Sequence, residues 1–239
     1  MSGQHEGPAA DVLDEYPVVL LDMNRTFMFG EDRFGPGEDY AATYRTLGGA
    51  LPSARVNALV TACHARLGAL YPDPAYHDRF PTVADAVRSL PGAEDLGDDD
   101  LVRLDRTFAL HELGRVPAAH AAALRRLASS HRLALVADVW AQPEPWVREL
   151  ARAGVLDAFE ARVFSSEIGS VKPSPRPFRA AMASLGVGPG DCVMVGDSAR
   201  RDVGGAAAAG IASVWVGRGE APAGALAAVG DLVDLVPPA

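Results

Sequence analysis

The sequence predicts an α/β fold: a parallel sheet with helices on both faces, plus an all-helical unit inserted after the first strand. Three observations predict it. Short apolar runs alternate with helical segments from Pro117 onward, the pattern of strand–helix–strand crossovers. Several of those runs stop on a polar residue, as strands do where they leave a buried sheet edge. Between the first run and the second lies a long helical stretch with no strand to pair with.

Taken in order, residues 1–15 read as a polar, mobile tail without the basic-then-apolar pattern of a signal peptide. Pro17-Val18-Val19-Leu20-Leu21 is the first strand, ending on Asp22. Phe27-Met28-Phe29-Gly30 and the Gly/Pro-rich stretch to Gly37 form a loop or small hairpin. Val56, Leu59, Val60, Cys63, Leu67 and Leu70 recur at helical spacing, and Tyr71-Pro72-Asp73-Pro74 breaks that helix. Thr82 is an N-cap for a short helix through Leu90. Asp98-Asp99-Asp100 fits the first turn of another helix, closed by Gly114, better than it fits a metal site. Helices over 117–130, 143–153, 175–185 and 199–209 then alternate with the runs Leu133–Ala137, Ala161–Phe164, Cys192–Val195 and Ile211–Val216. A last short unit ends with Leu232–Val236. The expected division is a tail (1–15), an α/β core (16–30 and 116–239) and a helical cap (31–115).

Composition narrows the partners. The 239 residues carry a formal net charge of −9, which argues against nucleic acid or an anionic membrane and leaves a small anionic molecule open. No apolar run is long enough to span a membrane. Cys63 and Cys192 are far apart and lie in apolar runs, as expected of buried thiols in a reducing cytoplasm. The oligomeric state is left open.

Four strand ends bring polar residues to one sheet edge. They are Asp22 with Asn24 and Thr26, Asp138 after Ala137, Lys172 in Gly169-Ser170-Val171-Lys172-Pro173, and Asp197 with Asp202 in Gly196-Asp197-Ser198-Ala199-Arg200-Arg201-Asp202. A carboxylate can attack phosphorus or carbon to form a covalent intermediate. A divalent cation and a lysine beside it would let two anions meet. Asp197 and Asp202 supply the hard oxygen ligands that Mg²⁺ prefers.

With these motifs in place, the chain resembles the haloacid dehalogenase superfamily, in the branch with a helical cap after the first motif. The resemblance covers nearly all of residues 17 to 217. It is carried most strongly by FSSEIGSVKPSPRPF followed by VMVGDSARRDVGGAAAAGI. It implies a Rossmann-like core and a phosphatase-like hydrolase. Asp22 would be the nucleophile. Mg²⁺ would be held by Asp22, the Asn24 carbonyl and Asp197, with Asp202 supporting, and Lys172 would pair with Asp22 and the bound anion. Thr26 would fix the turn.

The departures bear on mechanism. Phosphatases of the superfamily usually carry Asp-x-Asp-Gly-Thr, but Asn24 stands at the second acid and cannot exchange a proton. Arg25 replaces the usual glycine, so it would crowd the site or clamp an anion. Ala137 replaces a hydroxyl that binds phosphate, and Asp138 beside it is the candidate proton carrier. Ser198 and Trp140 complete the expected substrate contacts. Trp140 is grouped with Phe27, Met28, Phe29, Arg33 and Phe34 as pocket lining or simply cap–core packing. His64, His77, His111 and His120 fall in or beside the cap without an assigned role. Two further readings stay open: another chemistry on the same aspartate, such as carbon–halogen cleavage, and a non-catalytic ligand-binding protein. A Schiff-base route through a cap lysine is excluded, because Lys172 is the only lysine.

Overall fold

A computed structural model describes residues 8–236. The predicted sheet is present. Its six strands are β1 (Val18–Leu21), β2 (Arg132–Ala137), β3 (Phe159–Phe164), β4 (Cys192–Gly196), β5 (Ala212–Val216) and β6 (Ala227–Val229). They run parallel in the order β3-β2-β1-β4-β5-β6. The chain therefore builds outward from β1 in one direction and from β4 in the other. A ligand crevice is expected at such a reversal, outside the carboxyl ends of the strands. The register sets Leu21 beside Leu135 on one side and Val195 on the other, so the residues that follow β1, β2 and β4 emerge together.

Alternation along the buried strands divides the core into two layers. Val19, Leu21, Leu133, Leu135, Val193 and Val195 belong to one apolar cluster. Val18, Leu20, Ala134, Val136 and Met194 belong to the other, with Phe178 and Met182 of α9 (Pro175–Leu185) and Ala206 of α10 (Gly204–Ala209). Helices α6 (Ala118–Ser130) and α7 (Glu144–Arg152) connect β1 through β3, and α8 (Ser165–Ile168) leads to the Lys172 loop.

Between β1 and β2 lie α2 (Tyr40–Thr46), α3 (Ser53–Leu70), α4 (Val83–Arg88) and α5 (Asp98–Glu112), packed on one another. Thr82 caps α4 by accepting from the Asp85 N–H, and the three aspartates occupy the first turn of α5. The two connections to the rest of the chain run side by side. Phe29 and Arg115 exchange backbone hydrogen bonds of 2.9 and 2.8 Å. Gly114 is required by this approach, because a Cβ there would lie 2.8 Å from Met28 Cγ and 2.9 Å from the Phe29 carbonyl.

Three expectations are corrected. Residues 1–7 lie outside the described residues, but Pro8–Leu13 form helix α1 rather than a tail, with Ala9 and Leu13 buried against the core. The helix over 199–209 begins as a π-helical turn, Ala199–Val203, because the Ser198 carbonyl accepts from both Asp202 and Val203 N–H groups. The final strand is β6, paired to β5, while Leu232–Leu235 is a 3₁₀ turn started by Asp231, whose side chain accepts from the Val233 N–H. No helix among the described residues is long and apolar enough to cross a membrane.

Candidate active site

The carboxyl ends of β1, β2 and β4, with the loop after α8, place the polar residues named above around one point. Asp22 follows β1, is 6% exposed, and ties its N–H to the Val195 carbonyl at 2.9 Å. Its Oδ1 accepts from Lys172 Nζ at 2.5 Å and its Oδ2 from Thr26 Oγ1 at 3.1 Å. Lys172, buried in the core, also donates to Asp202 Oδ1 at 2.7 Å and the Val136 carbonyl at 3.0 Å, so its three ammonium hydrogens have partners. Asp202 takes the Ser198 N–H on its other oxygen at 2.9 Å. Gly196 makes room for this pair, since a Cβ there would stand 2.5 Å from Asp202 Cγ.

Oxygens of Asp22, Asp197 and Asp202 lie within 4.8 Å of one another. Burial raises the pKa of Asp197 and the neighbouring Asp22 charge raises it further. Burial lifts Asp202 to about 7 against the pull of Lys172. Burial alone would lower the Lys172 pKa, but Asp202, Asp22 and Asp138 hold it above the ordinary value, so it stays charged. Removing the cation leaves two buried carboxylates facing each other. Lys172→Met is expected to cost about 3–5 kcal/mol of stability, measured by urea unfolding.

The turn after Asp22 is wound around the Met23 carbonyl, which accepts from the Thr26, Phe27 and Met28 N–H groups. Arg25 occupies the left-handed region with φ of 62°, a conformation costing a non-glycine residue about 1–2 kcal/mol. Its side chain is largely exposed, with Nε 3.6 Å from Glu31 Oε1. The Asn24 side-chain oxygen is buried and has no hydrogen-bond partner among the described residues.

A cavity of about 320 Å³ opens over these groups, and Asp22, Asn24, Arg25, Tyr71, Asp138 and Arg201 are among the residues that border it. Trp140 borders it too, whereas Phe27 and Met28 are core residues and Ala137 is buried at the end of β2. Asp138 accepts from Tyr71 Oη at 2.6 Å and from the Lys172 backbone N–H at 3.1 Å, and the Arg201 guanidinium lies 5.5 Å from the Tyr71 ring centre. Ser198 caps the π-helical turn through the Arg201 N–H at 3.2 Å. A larger hollow of about 530 Å³ lies between α4, α5 and the start of α7, but none of the clustered carboxylates borders it.

Tyr71, Arg201, Glu31, Asp32, His64 and Glu112 also border the 320 Å³ cavity and were not assigned from sequence. One of them had a readable signal. Asp105 and Glu112 fall on the apolar stripe of α5 with Leu101, Leu104 and Phe108, where an acid needs a reason to be. Both cap the loop after β2. Glu112 accepts from the Trp140 and Ala141 N–H groups at 2.8 and 3.2 Å, and Asp105 from Gln142 N–H at 3.0 Å. Burial raises Glu112 from 4.5 to about 8, against those N–H groups and with help from Asp32 and Asp105. The folded chain thus keeps a proton on Glu112 that the unfolded chain releases above 4.5. Stability from this group is full below that value and is lost as pH rises toward 8. Glu112→Gln is expected to flatten the stability–pH curve between pH 5 and 8 by on the order of 2–4 kcal/mol in urea unfolding.

Comparison with known proteins identifies the family and the fold. Residues 74–210, more than half of the chain, match the family described as haloacid dehalogenase-like hydrolase. A 2-haloacid dehalogenase from Pseudomonas syringae superposes with a TM-score of 0.60 at 23% identity, over 92% of this chain and 96% of that one, which speaks for the fold. A HAD phosphatase from Thermococcus onnurineus gives 0.59 at 26% identity, over 91% and 95%. A phosphoserine phosphatase from Thermus thermophilus is 42% identical over 80 residues, which is 34% of this chain and 32% of that protein. A glyceraldehyde 3-phosphate phosphatase from Methanopyrus kandleri is 42% identical over 72 residues, 30% and 31%. The matched stretches span about a third of the length of these curated relatives. On the family match and the shared fold, the chain belongs to the haloacid dehalogenase-like hydrolases.

Proposed function

We propose that the chain hydrolyses a small phosphate ester through an aspartyl intermediate on Asp22, with Mg²⁺ as cofactor. The observation that carries this reading is the convergence of Asp22, Asp197 and Asp202, together with one buried Asp197 oxygen, Oδ1, that has no hydrogen-bond partner among the described residues. A lone buried carboxylate oxygen beside two other carboxylates fits a hard divalent cation. The Asn24–Met28 bridge uses the Arg25 N–H and the Met23 carbonyl, so it leaves the Asn24 carbonyl for the same cation. Asp22, Asn24 and Asp197 would hold Mg²⁺, with Asp202 supporting, and the cation would offset charge between carboxylate and phosphate.

In this reading the Asp22 carboxylate attacks phosphorus and the ester oxygen leaves with its electron pair. Water then hydrolyses the acyl phosphate. Lys172 keeps Asp22 aimed and neutralises part of the charge, and Thr26 holds its second oxygen. Arg25 and Arg201 are the cations at the cavity wall for the phosphate oxygens. Trp140 contacts the rest of the substrate, and Ser198 acts through the turn it caps. Asp138 is a positioning residue, since its oxygens are engaged by Tyr71 and the Lys172 backbone. Asn24 cannot protonate the leaving oxygen, so that proton comes from water or the substrate and turnover is slow. Among the described residues, 31–115 form the cap and 16–30 with 116–236 the core, the bridged pair Phe29 and Arg115 being the hinge.

A panel of phosphate monoesters assayed with Mg²⁺ and with chelator tests this reading. Phosphate release only with Mg²⁺ supports it. Halide release from haloacids without Mg²⁺ would replace it, because a leaving halide needs no proton and Asn24 would then cost nothing. Mg²⁺ is also expected to raise the Tm of the native chain and not of Asp197→Asn.

A further inference from the structure

The cavity over Asp22 is also bordered by a second group of side chains, Glu31, Asp32 and Glu112, with His64 and Trp140. These groups are neighbours. Glu112 accepts from the Trp140 N–H at 2.8 Å, the His64 and Trp140 rings are 5.8 Å apart, and Asp32 lies close enough to both Glu112 and His64 to perturb them. Of the five carboxyl groups that border the cavity, Glu112 keeps its proton and Asp22 is paired with Lys172, which leaves Glu31, Asp32 and Asp138 with the guanidiniums of Arg25 and Arg201. His64 adds little positive charge, because burial lowers its pKa.

Glu31 is the telling residue. Its side chain is 8% exposed, and Oε2 is wholly buried with no hydrogen-bond partner among the described residues. Oε1 has only the loose 3.6 Å approach of Arg25. A buried carboxylate oxygen left unpaired is destabilising, so its natural complement is a donor carrying positive charge. A phosphate bound at Asp22 adds negative charge to a cavity that holds these acids. A cation held by Asp22, Asp197 and Asp202 offsets charge beside the phosphate. Glu31 and Asp32 call for a cation of their own, and Trp140, which borders the same cavity, is an aromatic ring of the kind an ammonium favours.

We propose that the substrate is a phosphomonoester that also carries a cationic amine, with the phosphate at Asp22 and the ammonium received by Glu31 and Asp32 beside Trp140. The phosphate half rests on the reading given under Proposed function. The ammonium half is testable without turnover.

The test is calorimetric titration of the full chain, in Mg²⁺, with non-hydrolysable pairs that differ only in an ammonium for a methyl: 2-aminoethylphosphonate against propylphosphonate, and 3-aminopropylphosphonate against butylphosphonate. The amino member of at least one pair is expected to bind tenfold or more tightly. In Glu31→Gln, and separately in Asp32→Asn, that ratio is expected to fall to within threefold of unity, with thermal unfolding confirming that each variant is folded. Equal affinities in both pairs would overturn the inference. So would a ratio untouched by both substitutions, equally tight binding of 2,3-dihydroxypropylphosphonate, or a second equivalent of Mg²⁺ that Glu31→Gln removes. A preserved amine preference with no hydrolysis of O-phosphoethanolamine or propyl phosphate would sink the phosphatase reading and leave the ammonium site standing.

Discussion

Asp22→Asn is expected to lower phosphate-ester turnover by more than about 10⁴-fold, on the scale seen when a covalent nucleophile is removed, while the chain stays folded. Asp22 Oδ1 accepts from Lys172 and Oδ2 from Thr26. In the variant the amide oxygen keeps Lys172, and the amide nitrogen faces a Thr26 hydroxyl that can accept. Lys172 retains Asp202 as its counter-ion at 2.7 Å, so no unpaired charge is left in the core. The variant loses nucleophilicity and little else. The measurements are steady-state turnover with the best ester of the panel and urea unfolding of the same preparation. Turnover within tenfold of native would show that the attacking oxygen is not on Asp22. A parallel loss of turnover and stability would show that Asp22 acts through the fold.

The centre of this site was legible in the sequence because it is built from strand ends. An apolar run that stops on Asp22, another that stops before Asp138 and a third that stops before Asp197 needed only a parallel sheet to bring them to one edge, and the register does so. The helices between β1 and β2 were legible for local reasons too: helical spacing in α3, Thr82 at the start of α4, three aspartates opening α5. What could not be read lies where distant segments meet. Tyr71 closes α3 and Asp138 follows β2, yet they are 2.6 Å apart across the cavity. Glu31 and Asp32 are ordinary surface acids by composition and come to border the cavity only once α5 and the β1 loop are packed together, unlike Glu112, whose place on the apolar stripe of α5 is visible in the sequence. Helix α1 escapes a sequence reading because its six residues, Pro8–Leu13, make fewer than two turns and show no helical period; Ala9 and Leu13 hold it only against a preformed core. Strand β6 is not legible in the sequence because Ala227-Ala228-Val229 has weak strand character and is held by its pairing with β5.

Asn24→Asp is expected to raise turnover by about 10²- to 10⁴-fold, the range that positioned general acid–base help contributes. The position is prepared for it. Asn24 lies two residues beyond the nucleophile, borders the cavity, and holds a buried side-chain oxygen that nothing among the described residues uses. A carboxyl group there has nearly the same shape, so the left-handed backbone at Arg25 and the turn around the Met23 carbonyl need not change. The new acid would sit near Asp22, and burial beside a like charge raises its pKa. That keeps it protonated toward neutral pH, the form that can donate to a leaving ester oxygen. The fraction of the new acid that ionises repels an anionic substrate, so kcat is expected to rise more than kcat/KM. The pH–rate profile gains a limb on which activity falls as the new acid ionises. Kinetics of native and Asn24→Asp chains from pH 5 to 9 measure all three effects. A rate within threefold of native, with an unaltered pH profile, would mean that the leaving oxygen already receives its proton from another group. Tyr71 would then be the one to substitute next, because its hydroxyl is the donor hydrogen-bonded to Asp138 at the wall of the same cavity.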